Sequence, residues 1–207
     1  LSSYLKKGYV INSSKVKIPN LTEITEILDN YRKFDGDLHL SGNELLEFMI
    51  AYNRSLTLLD DYDHQSFELP NGSKDVYRIE YKECLDIVKR SKFTGKNDNF
   101  GKERDKSFDS SISTIYQTYD GKELYPTLEQ KAAMLLYLVT KNHSFIDGNK
   151  RIASTVFLYF LDRNKSLFVD GRKRISDETL ATLTILIAAS NPKDKDIIIN
   201  LILAILN

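Results

Sequence analysis

Residues 142–151 read Asn142-His143-Ser144-Phe145-Ile146-Asp147-Gly148-Asn149-Lys150-Arg151. A base, a carboxylate, a glycine turn and two cations fall within ten residues, and no other stretch of the chain is as chemically dense. Upstream, Thr127 with Gln130 has the form of a capping box that opens a helix. Leu128, Ala132, Leu135, Leu136 and Val139 then recur at helical spacing, which predicts one apolar stripe ending near Asn142. Downstream, a second helix is expected from about Asn149, and residues 152–161 carry no charge. A helix apolar on most faces is a buried one. The dense stretch is therefore expected on a short loop between two core helices.

Lys150 and Arg151 then stand in the first turn of the buried helix, where the macrodipole and the unpaired amides favour anions. Each misplaced cation costs about 0.3–1 kcal/mol unless an anion joins it. A bound phosphate resolves the conflict, because the amides around Gly148 and Asn149, the two cations and the bare Gly148 form one cradle. Asp147 can cap the helix or hold a divalent cation that bridges phosphate oxygens. His143, at the end of the first helix, can accept a proton from an attacking hydroxyl. Phe145 is expected to pin the loop to the core. Taken singly, each has a plainer role: a structural histidine, an N-cap, solvated cations.

The run His143-Ser144-Phe145-Ile146-Asp147-Gly148-Asn149-Lys150-Arg151 resembles the signature of the Fic/Doc (Fido) proteins, His-x-Phe-x-(Asp/Glu)-Gly-Asn-(Gly/Lys)-Arg. Leu124-Tyr125-Pro126 and Lys131-Ala132-Ala133 are similar to that family's entry into the preceding helix, so the resemblance covers at least residues 110–165. It implies an all-α, Fic-like helical bundle with a central buried helix and one short β-hairpin flap. It also implies an enzyme that uses ATP and Mg²⁺ to modify a Ser, Thr or Tyr hydroxyl of a target protein, most members transferring AMP. Carried over by position, His143 is the general base and Asp147 the Mg²⁺ ligand. Gly148, Asn149, Lys150 and Arg151 face the nucleotide phosphates.

Two positions depart from the AMP-transferring pattern: Lys150 stands where Gly is usual, and Ser154 where a second Arg contacts the terminal phosphate. Both resemble Doc, the toxin branch that transfers the terminal phosphate as a protein kinase does. The resemblance thus implies AMP transfer first and phosphoryl transfer as the alternative. A non-catalytic binding module on the same fold is the rival of another class. The inhibitory Ser/Thr-x-x-x-Glu-(Gly/Asn) helix of such transferases is not found; Thr25–Asn30 comes nearest, with Asp at the acid position. An antitoxin-like inhibitor is accordingly a candidate partner.

Composition sets the outer bounds. The 207 residues, 42% of them hydrophobic, suit one domain, expected over 21–207 behind an N-terminal extension of residues 1–20. With 29 basic and 29 acidic residues, no nucleic acid or anionic membrane partner is indicated. A single cysteine, Cys84, argues against a disulfide framework and is expected in the core. The longest apolar run, Ile197–Leu206, is shorter than a membrane span needs. No signal peptide is legible, and a start at Leu1 points to a preceding segment. These features together predict a cytoplasmic protein, acting in its own cell or in another.

Elsewhere, helices are expected over about 22–33, 41–59, 78–90, 176–189 and 193–206. Asp60-Asp61-Tyr62-Asp63-His64 is expected on an exposed loop, and residues 91–109 in a long loop with little to hold a core. Residues 112–119 alternate, and Asp120-Gly121 is a hairpin turn. Ile112, Ser113, Thr114 and Ile115 are thereby placed in the flap that, by the resemblance, pairs with an extended segment of the target. The clusters Lys89-Arg90-Ser91-Lys92 and Arg172-Lys173-Arg174 are expected at solvated surface.

Overall fold

The capping box that opens the central helix forms as expected. Thr127 Oγ1 accepts from the Gln130 amide at 3.2 Å, and Gln130 Oε1 accepts from the Thr127 amide at 3.2 Å. The computed structural model describes residues 55, 57–67, 71–91 and 98–206. The chain divides into two compact units, Leu1–Ser66 and Phe67–Asn207. In the first unit, the expected helices over 22–33 and most of 41–59, and the boundary at residue 20, lie outside the described residues. Residues 57–64 are helical, so the acidic patch at 60–64 continues a helix instead of forming a loop. His64 Nδ1 lies 2.9 Å from the Asp60 carbonyl one turn back, a local bond that suits helical backbone.

The second unit is all-α. Its described elements are helices α1 (Tyr81–Arg90) and α2 (Ser107–Thr114), strands β1 (Thr118–Tyr119) and β2 (Lys122–Glu123), and helices α3 (Leu128–Lys141) and α4 (Asn149–Arg163). Strands β3 (Phe168–Val169) and β4 (Arg172–Lys173) and helices α5 (Asp177–Ala189) and α6 (Lys195–Leu206) complete it, a 3-10 turn at Pro192–Asp194 preceding α6. Helix α3 packs against α2, α4, α5 and α6, and α4 against α1, α3 and α5. The apolar stripe of α3 is fully buried, as its spacing predicts. Ala133, Met134 and Tyr137 on the other faces are buried too, because four helices surround it.

That enclosure catches two charged residues. Glu129, on α3, is buried and accepts from the Ser73 amide and hydroxyl, both at 2.8 Å, and from Arg174 Nη2 at 2.9 Å. Lys131 has no exposed surface and reaches Asp75 at 2.9 Å and Glu123 at 3.0 Å. Burial of both is tolerable because each charge is paired and hydrogen-bonded. Arg174 is thus an internal staple, bonded also to Ser166 Oγ and the Leu206 carbonyl, and not a solvated surface cation as its cluster suggests.

Two hairpins join the helices where one is expected. In each an Asp-Gly pair turns the chain in left-handed conformation, Asp120 (φ 49°) with Gly121 (72°) and Asp170 (50°) with Gly171 (76°). Register is the same: Tyr119 faces Lys122 and Val169 faces Arg172. An outer bond closes each, Leu124 N–H to the Gln117 carbonyl and Arg174 N–H to the Leu167 carbonyl, both 2.9 Å.

The flap is shorter than its alternation suggests, and Ile112, Ser113 and Thr114 are not in it. They lie on α2, with Ile115 as its C-cap. Phe108, Ile112 and Ile115 recur at helical spacing and are all buried, so the 3.6-residue period of the apolar face prevails over the two-residue alternation. The hydroxyls that make the run look strand-like bond back within the helix, Ser111 to the Ser107 carbonyl and Thr114 to the Ser110 carbonyl, both 2.7 Å.

Candidate active site

Loop 142–148 leaves α3 through a left-handed residue. His143 has φ 49° and is exposed, while the Asn142 amide closes α3 on the Leu138 carbonyl at 2.9 Å. A non-glycine residue there costs about 1–2 kcal/mol, so the surroundings must hold it. Buried Phe145 supplies one hold, its ring 4.8 Å from Phe108 of α2 in an edge-to-face contact. The expectation that Phe145 pins the loop to the core is met.

Asn149 supplies another. Its side-chain amide accepts from the Phe145 N–H at 2.9 Å and donates to the Phe145 carbonyl at 2.8 Å. The carboxamide thereby pairs with a main-chain residue as a neighbouring strand would. With the side chain so engaged, what Asn149 can offer a phosphate is its main-chain N–H. The first helical bond of α4 runs from Ile152 to the Gly148 carbonyl, so the amides of Asn149 and Lys150 have no acceptor within the helix.

A third wall comes from the segment expected to be a structureless loop. Residues 100–104 run beside the motif: the Gly101 amide bonds the Asp147 carbonyl at 3.2 Å, the Ile146 amide the Lys102 carbonyl at 2.8 Å, and the Arg104 amide the Ser144 carbonyl at 2.8 Å. Phe100, also buried, lies against Gly148. A Cβ built on Gly148 would come 2.4 Å from the Phe100 ring, and the glycine holds φ 92°, so both conformation and contact require this residue. Arg151 stacks its guanidinium 4.8 Å from the Phe100 ring centre.

The same guanidinium meets Asp147, at 3.2 Å and 3.4 Å from its two carboxylate oxygens. The two side chains are 45% and 37% exposed, and such an i,i+4 pair is worth only about 0.3–0.5 kcal/mol. Opposite charges are therefore held together at the helix N-terminus by a contact that a ligand can replace cheaply. Lys150 is exposed, and Ser154, one turn on, donates to the Lys150 carbonyl at 3.1 Å. The structure thus gathers His143, Asp147, Gly148, Asn149, Lys150 and Arg151 on one loop and helix terminus. Among the described residues no group of three or more His, Cys, Asp or Glu could enclose a metal ion. A lone carboxylate, Asp147, beside the N-terminal amides of a helix is compatible with Mg²⁺, which keeps waters and takes substrate oxygens for most of its shell.

Residues 78–161, from just before α1 to near the end of α4, match the model of the Fic/DOC family. That stretch is similar to the Fic/DOC family. Toxin Doc of Mycolicibacterium smegmatis (strain ATCC 700084 / mc(2)155) is 39% identical over 56 residues, 27% of this chain and 43% of that protein. The match thus spans less than half the length of the curated relative. No solved structure matches. The Fic/DOC stretch begins well before residue 110, where the sequence resemblance starts, and so takes in α1, the 100–104 segment and all of α2. In the run 91–109 the apolar signal is confined to Phe93, Phe100 and Phe108, too sparse to form a pattern. No helix among the described residues is long and apolar enough to cross a membrane.

Proposed function

We propose that this chain transfers a phosphate-containing group from ATP to a side-chain hydroxyl of a target protein, and that the group is AMP. The observation that carries the reading is the Asp147–Arg151 pair at the N-terminus of a buried helix, beside an exposed histidine held in a braced loop. With nucleotide bound, Arg151 would turn from Asp147 to a phosphate, and Asp147 would be the residue that holds Mg²⁺. Mg²⁺, when bound, would neutralise charge on the phosphate oxygens as the leaving group departs. The amides of Asn149 and Lys150 and the Lys150 side chain face the same anion. His143 accepts the proton of the target Ser, Thr or Tyr as its oxygen bonds the α-phosphorus, and the bond to pyrophosphate breaks. The hairpin β1–β2, at 118–123 and not at 112–115, is the edge that would align the target segment.

Transfer of the γ-phosphoryl group, with ADP leaving, is the second reading, and Ser154 favours it. A second arginine is missing at that position, and the Ser154 hydroxyl is bonded to its own helix instead of being turned to a ligand. With a relative named a toxin, the further proposal is a toxin role in the cytoplasm, restrained by an antitoxin-like inhibitor. Incubation of the protein and a cell lysate with Mg²⁺ and ATP labelled separately at the α and γ positions separates these readings. Protein-bound α label that is lost with His143→Ala is expected; γ label alone would establish phosphoryl transfer. No label in either arm would overturn both in favour of a binding module.

A further inference from the structure

His143 is flanked by two residues that both reach the same helix. Asn142 Nδ2 donates to Ser111 Oγ at 2.9 Å, and Ser107 Oγ donates to Ser144 Oγ at 2.8 Å. Ser107 and Ser111 are one turn apart on α2, so the two contacts bracket the His143 main chain as two fingers of one hand. Neither finger is free to swing. The Ser111 hydroxyl accepts from Asn142 and gives its own proton to the Ser107 carbonyl at 2.7 Å, which uses its donor and fixes its rotor. Ser111 is 1% exposed and Ser144 0%, so the accepting hydroxyl of each bond is shielded from water. Between them, His143 keeps φ 49°, a conformation that a histidine holds only where its surroundings over-determine it. The Phe108 ring, next to Ser107 in sequence, packs on Phe145 and keeps α2 from lifting off the loop.

We propose that α2 is the positioning element for the proton acceptor: Ser107 and Ser111 fix the main chain of His143, and neither touches the nucleotide or the target. The inference rests on the reading of His143 as the base. It assigns a role to Ser107, which the sequence alone places in a long loop, and to Ser111, just ahead of the expected flap. General-base efficiency depends on geometry before anything else, and a base displaced by about 1 Å can lose a hundredfold in rate. The clamp therefore acts on turnover and leaves nucleotide affinity alone.

The test uses Ser107→Ala, Ser111→Ala and their double variant, with Asn142→Ala as a route to the same bond from an exposed residue. Turnover is expected to fall about tenfold in each single variant and about a hundredfold in the double, with KM for ATP unchanged. Ser107→Thr, which retains the hydroxyl, restores turnover. In a His143→Ala background the serine changes cost nothing further, because there is no base left to position. Imidazole NMR of the three-histidine protein reads the clamp without reference to activity. A single sharp His143 signal set in the parent is expected to broaden or split in the alanine variants. If no transfer is found at all, that spectral change still supports the clamp while the enzymatic reading fails. Unchanged turnover and spectra, a change in KM alone, or losses that persist without His143 would overturn the proposal. Should the serine variants not fold, Asn142→Ala decides by the same readouts.

Discussion

Arg151 and Asp147 neutralise one another at 3.2 Å across one turn, at the mouth of a helix whose first turn holds no other acid. Each is also the residue that a metal-bound nucleotide would take from the other. Because the pair is exposed and the stacking on Phe100 adds about 0.5–1 kcal/mol, Arg151→Ala should shift stability by no more than about 1.5 kcal/mol. The same change should lower the rate of label transfer by about a hundredfold or more, as loss of a charge-stabilising donor does. Thermal unfolding and single-turnover labelling on one preparation check the contrast; a fall in stability large enough to explain the lost rate would refute it.

Gly148→Ala meets two separate obstacles, the φ of 92° and the Phe100 ring 2.4 Å from the new Cβ. A loss of about 1–3 kcal/mol is expected by denaturant titration. Phe100→Ala should relieve the contact but not the backbone strain. The double variant is therefore expected to be more stable than the sum of the two single changes, by about 1 kcal/mol.

How far the sequence carries the structure differs between neighbouring elements. Where one force dominates, the residues speak plainly: the Thr127–Gln130 box and the uncharged run 152–161 place α3, the loop and α4. Asn149 was readable as a motif residue but not as a brace, since a side-chain amide bonding to Phe145 leaves no spacing pattern. Around Ile112 two periods compete, and the strand-like one misleads because hydroxyls satisfied inside a helix look from sequence like residues avoiding one. The 100–104 segment was invisible because its bonds to the motif are main-chain bonds, which any residue can make.

Lys131 offers an asymmetry to measure. The ammonium is fully enclosed, whereas its partners Asp75 and Glu123 are 20% and 45% exposed. Replacing both acids by alanine strands a buried charge and should cost about 3–5 kcal/mol. Lys131→Met removes that charge and leaves two carboxylates able to turn to water, so a loss within about 1 kcal/mol is expected. Equal destabilisation of the two variants in urea melts would contradict this account.

Glu129 sets an acid limit on the fold. Burial pushes its carboxyl up, but the Ser73 amide and hydroxyl and Arg174 outweigh burial and hold it below the usual value. A group whose pKa is lower folded than unfolded adds stability above its unfolded value, roughly 4.3, and loses it as pH falls through the folded value. Stability should therefore decline below about pH 4. Glu129→Gln should be less stable at neutral pH and flatter across that acid range, as urea midpoints at successive pH values would reveal.

The paired hairpins have a practical side. A Cβ added at Gly121 or at Gly171 would meet nothing within 4 Å, so both tips project into open space on narrow, self-closed stems. One stem carries the proposed target edge; the other, behind Asp170-Gly171, carries no proposed site residue. Exposed tips of this kind tolerate inserted residues. An epitope or fluorophore grafted between Asp170 and Gly171 would report on the protein's whereabouts and assembly while the loop at 142–151 remains untouched.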